Sequence, residues 1–219
     1  MFGKENDMNT VDPSLQGPTI VRWPFFAFMC GAMFCLLTSS TCHLLSCHSK
    51  LYSYIMLRLD YVGISVLIVT SFYPLVYYSF MCHPLSRNLY IGIITIFGIA
   101  TSSVSLLPIF QTPTYRPVRS GLFVIVGVSG IVPIAHKLVI FSHQPEALLT
   151  TGYELVMGAF YVFGVVVYVA RVPERWMPGK FDLAGHSHQL FHVLVIAGAC
   201  THYLGGLVYL RWRQMEGCY

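Results

Sequence analysis

Apolar residues fall in six blocks of about 20 along this chain, each bounded by charged or strongly polar positions. They cover residues 24–45, 59–82, 89–109, 120–141, 147–170 and 187–210. Arg22 and Lys50 bracket the first block, Arg87 follows the second, and Arg116, Arg171 and Arg211 follow the third, fifth and sixth. A helix of roughly 20 apolar residues is what it takes to cross the ~30 Å hydrocarbon layer of a bilayer. The polar strips between blocks are too short to build a water-soluble domain. The pattern predicts an all-α integral membrane protein, a helical bundle of six spans over 23–212, with a polar leader over 1–22 and a short tail over 213–219. The leader lacks the basic-then-apolar order of a signal peptide.

Composition agrees. Charged residues make up 10% of the chain against about 25% in soluble domains, and 55% is hydrophobic. The net charge of +4 is spread along the chain, with no basic block and no nucleic-acid motif, which excludes a nucleic-acid partner. The seven cysteines form no CxxC spacing, and the odd count suggests no disulfide framework. They read as small residues in helix packing. Packing is also the default role of Gly127, Gly130, Gly158, Gly164, Ala197, Gly198 and Ala199. Pro74 and Pro133 lie within spans and are expected to kink them.

Loop charge sets an orientation. The loops after spans one, three and five hold Lys50, Arg58, Arg116, Arg119, Arg171, Arg175 and Lys180. The other side's loops hold only Arg87 and Lys137, with further cations near the termini. Cations concentrate in cytoplasmic loops, so the first set is placed in the cytoplasm.

On this map, ionisable groups from three spans come to one end. His43 closes the first span, Asp60 opens the second, and His188 and His192 open the sixth. His188 and His192 are four apart and share a helix face. Ser39 lies one turn before His43. Three neutral imidazoles and a water make a catalytic-type zinc site, and a nearby carboxylate such as Asp60 can take the water's proton. Separately solvated interfacial imidazoles fit the same spacing. His186 reads as a loop residue, His48, His83 and His143 as solvated loop positions, and His136 and His202 as lying near the outer side. Glu154 is a rare intramembrane carboxylate, facing either a cavity or the interface.

The stretches FCLLTSSTCHLLSCHS (34–49), LRLDYVGISVLIVTSFYPLVYYSF (57–80), SGIVPIAH (129–136) and RVPERWMPGKFDLAGHSHQLFHVLV (171–195) resemble the progestin and adipoQ receptor family, and most of all the plant heptahelical transmembrane proteins. The order SxxxH, LDYxGI, HSHQxFH carries the likeness. The resemblance implies a seven-helix bundle with its amino terminus in the cytoplasm and its carboxy terminus outside. It also implies zinc on His43, His188 and His192, with Ser39 and Asp60 beside it. The family has a span before the SxxxH helix, and here only the polar leader precedes Trp23, so the bundle is expected to lack that first helix.

Two functions follow as expectations. One is a receptor or signalling protein answering an extracellular or lipid ligand, with output through a cytoplasmic partner. The other rests on a more distant likeness to the alkaline ceramidases: a zinc-dependent lipid amide hydrolase, with Asp60 and Ser39 catalytic and ceramide or free fatty acid as the membrane lipid bound. A transporter or channel would need charged groups through the bilayer depth, which the pattern does not supply.

Overall fold

The computed structural model describes residues 20–45, 47–181 and 183–218; the predicted leader lies almost wholly outside them. Among the described residues there are seven α-helices: α1 (Trp23–Leu45), α2 (Lys50–Ser79), α3 (Pro84–Ser105), α4 (Arg116–Val128), α5 (Ile131–Phe141), α6 (Pro145–Ala170) and α7 (Ser187–Glu216). Six stretches are long and apolar enough to cross a membrane, α4 and α5 together making one. Leu37, Leu44, Ile96, Ile125, Val139, Leu155 and Val193 stand exposed on their outer faces, as lipid-facing residues do.

Because lipid is as apolar as leucine, burial does not hold such helices together; close packing and polar contacts do. α1 lies along α2 and α6 along α7, with α2 reaching across to α3, α4 and α7. Gly198 lets Tyr161 of α6 lie against α7; a Cβ there would meet the ring at 2.5 Å. Gly127 and Gly158 face open space, so packing does not explain them.

Several boundaries differ from the pattern, and in three places the structure shows why. α2 begins at Lys50, nine residues before the predicted Leu59, because the Ser49 hydroxyl accepts the Tyr52 amide at 3.1 Å and caps the helix. α7 runs on to Glu216, where Arg213 is buried and donates to the last carbonyls of α2, Tyr78 O at 2.6 Å and Ser79 O at 2.8 Å. The fourth span breaks at Ser129–Gly130, and Pro133 sits in the first turn of α5, where it does not kink a continuous helix.

At that end of the bundle, Cys82 and Cys218 form a disulfide. This corrects the reading of every cysteine as a packing residue. The bond lies on the side that loop charge assigns to the outside or lumen, where cystines persist, and the described cysteines nearer the other end are free thiols.

Lys137 and Glu154 also change place. Lys137, counted with the loops, is fully buried in α5. Its Nζ donates to Glu154 Oε2 at 2.8 Å, Tyr209 OH at 2.8 Å and Thr150 Oγ1 at 3.2 Å. Tyr209 donates to Glu154 Oε1 at 2.5 Å and bonds Ser79 at 2.9 Å. Glu154 faces neither an open cavity nor the interface, but a closed polar cluster joining α2, α5, α6 and α7.

Candidate metal centre

The end opposite the disulfide holds the histidines. His43 stands on the last turn of α1 and His188 and His192 on the first turns of α7. The i,i+4 spacing points both α7 rings the same way, 4.8 Å apart at their centroids and tilted 35°. The His43 ring meets them nearly edge-on, 4.7 Å from His188 and 5.5 Å from His192. One ring nitrogen from each lies within 4.8 Å of the others. Three imidazole nitrogens gathered this closely are a donor set that zinc takes, with Zn–N bonds of ~2.0–2.1 Å. His192 Nε2 is buried without a hydrogen-bond partner among the described residues, as is Ser39 Oγ. A buried polar atom left unpaired is costly, and His192 Nε2, itself in the cluster, is available to a ligand.

Ser39 and Asp60 are both buried at this end. Gly63 of α2 abuts Cys35 and Thr38 of α1, which brings Asp60, one turn earlier, level with Ser39. The carboxylate and hydroxyl therefore sit about a turn deeper than His43, on the bundle side of the imidazoles. Asp60 lies within electrostatic reach of His192 and Cys42. Among the described residues the three histidines alone form the metal-competent group; Asp60 is not part of it.

The other histidines separate from the cluster. His186 takes the N-cap position of α7, with its ring 6.4 Å from that of His188. His202 is buried in α7 away from the cluster, edge-on to Phe28 at 4.5 Å. His136 is bound by the Tyr90 hydroxyl at 3.0 Å.

Around the mouth stand residues with no local sequence signal. Tyr168 meets His188 edge-on at 5.3 Å with Arg116 over its other side at 4.9 Å, and Arg119 lies over Tyr61 at 4.2 Å. Glu174, in the α6–α7 connection, accepts the Ser187 amide at 2.8 Å and the Ser187 hydroxyl, one residue before His188. Its burial acts to raise the carboxyl, but the Ser187 bonds outweigh that and hold its pKa below the usual carboxylate range. The sign follows: the cap is in place above the ordinary carboxylate pKa and is lost as acid carries the pH down through the lowered value. Losing a capping acceptor costs roughly 1 kcal/mol, so Glu174→Ala is expected to speed amide exchange over the first turn of α7 about fivefold. Hydrogen-exchange mass spectrometry reads this, and unchanged exchange there overturns it.

With this geometry in hand, the comparisons are specific. A model of haemolysin-III-related proteins matches residues 8–203. Heptahelical transmembrane protein 4 of Arabidopsis thaliana is 67% identical over 98% of this chain and 56% of its own length. Heptahelical transmembrane protein ADIPOR3 of Oryza sativa subsp. japonica is 65% identical over 98% of the chain and 53% of its own. The adiponectin receptor protein of Drosophila melanogaster is 44% identical over 88% and 44%. The chain thus spans about half the length of these curated relatives. It belongs to the haemolysin-III-related family, the progestin and adipoQ receptors, among its adiponectin-receptor-like, heptahelical multi-pass membrane proteins.

Proposed function

We propose that this chain is a membrane receptor-type signalling protein that holds zinc on His43, His188 and His192 at its cytoplasmic mouth. The observation that carries the reading is the convergence of the three ring nitrogens within 4.8 Å. Such a seat joins α1 to α7 at this end, as Phe25 and Phe28 of α1 do further along by packing on Tyr203 and His202. A ligand or lipid that changes their spacing is then felt at the cytoplasmic face, where a partner protein reads it. Likeness to the Drosophila adiponectin receptor protein supports the receptor half of the proposal.

A second reading, a zinc-dependent lipid amide hydrolase, is favoured by the buried Asp60 and the unpaired Ser39 hydroxyl. Zinc supplies Lewis acidity, polarising a carbonyl and making water acidic near neutral pH. The residues do the rest. Water adds to the amide carbonyl of a ceramide-like lipid, and the Asp60 carboxylate accepts its proton. The Ser39 hydroxyl donates to the carbonyl oxygen as charge develops there. As the C–N bond breaks, the proton passes from Asp60 to the leaving amine, releasing free fatty acid.

Purified protein reconstituted with ceramide separates the two. The hydrolase reading expects fatty-acid release in wild type, a fall of about 100-fold or more in Asp60→Asn, and equal zinc in both. Zinc retained with no release in wild type sinks the hydrolase and leaves the receptor. Wild type without zinc sinks both.

A further inference from the structure

The connection between α6 and α7 carries a surface that neither the metal centre nor the bundle uses. Over 171–180 the chain forms successive turns, with Arg175 N on Arg171 O at 2.8 Å, Trp176 N on Pro173 O at 2.9 Å and Lys180 N on Met177 O at 3.2 Å. It is a shaped segment, and it presents apolar side chains outward: Trp176 is 73% exposed, Leu183 93% and Met177 39%. Arg171, Arg175 and Lys180 are exposed among them. Glu174, the acid between them, is spent on Ser187.

Both helices that the segment joins are membrane spans, so it lies at the bilayer boundary. A tryptophan with arginine and lysine at that height is the composition of the headgroup layer: the indole sits at the interface and the cations meet lipid phosphates. Loop charge and the opposite disulfide put this end in the cytosol, whose leaflet bears the anionic lipid. We propose that the 171–186 segment seats on an anionic lipid surface, Trp176, Met177 and Leu183 entering the headgroup boundary and Arg171, Arg175 and Lys180 binding its phosphates. Glu174 fastens this segment to Ser187, and Gln189 holds it a second time through the Gly185 amide at 2.6 Å and Leu183 O at 3.3 Å. The height of the segment in the leaflet therefore sets the height of the helical turn that carries His188 and His192.

The test uses the full chain in lipid nanodiscs, which offer the same lipid to both faces. Chains brominated near the glycerol end quench tryptophans at the boundary. Subtracting Trp176→Phe from wild type isolates Trp176 from Trp23 and Trp212. The expected result is quenching of the Trp176 signal by brominated phosphatidylcholine and stronger quenching when phosphatidylserine is added. In Arg175→Gln with Lys180→Gln, the phosphatidylserine increment is expected to vanish. A Trp176 signal quenched by aqueous acrylamide and untouched by brominated chains overturns the proposal and makes the segment a surface for a soluble protein. Equal quenching with and without phosphatidylserine overturns the anionic preference.

Discussion

Lys137→Met is expected to destabilise the bundle by about 3–5 kcal/mol, the usual cost of stripping one partner from a buried ion pair. All three Nζ donors are engaged, on Glu154, Tyr209 and Thr150, and the side chain has no exposed surface. Without Lys137, Glu154 is left buried with only the Tyr209 hydroxyl to meet it. Glu154→Gln should cost comparably, leaving an ammonium among apolar helices. The double variant should recover more than half the loss, since the amide that replaces the Glu154 carboxylate still accepts from Tyr209 and no charge remains. Heating each variant in detergent and following the monodisperse fraction by size exclusion measures this. Losses that simply add in the double variant would show the two groups to be energetically independent.

His188→Ala is expected to abolish zinc at the proposed centre, whereas His186→Ala leaves it. Losing an outer partner of a ligand costs about 10–100-fold in affinity, so losing one of three ligands should cost more. The two histidines are neighbours in sequence, yet only His188 points a nitrogen into the cluster. Metal content by mass spectrometry after dialysis distinguishes them. Equal zinc in both variants would remove His188 from the ligand set.

The spans were legible because a bilayer demands long uninterrupted apolar runs, and this chain supplies them with charge between. His188 and His192 were legible from a four-residue spacing, and His43 from its place at the same end of a neighbouring span. The deeper placement of Asp60 was not, because the early start of α2 rests on the Ser49 cap while Arg58 interrupts the hydropathy. A lysine near a span's end looks like a loop charge until its acid is known, and Glu154 stands on another helix, 17 residues on. Cys82 and Cys218 are 136 residues apart, and nothing local marks either as the other's partner. Glu174 likewise looked like one more loop charge. Each miss is a pairing between elements, which periodicity does not encode.

The histidine cluster is drawn from the two ends of the described chain: His43 from α1, His188 and His192 from α7. No nascent chain that stops short of residue 192 contains it. During synthesis α1 is followed by four further spans, α2, α3, α4–α5 and α6, before the turn that carries His188 and His192 is made. Any cation held by all three histidines is thus acquired only after residue 192 has been made. Its capture can serve the cell as a sign that the spans from α1 to α7 have been threaded in register.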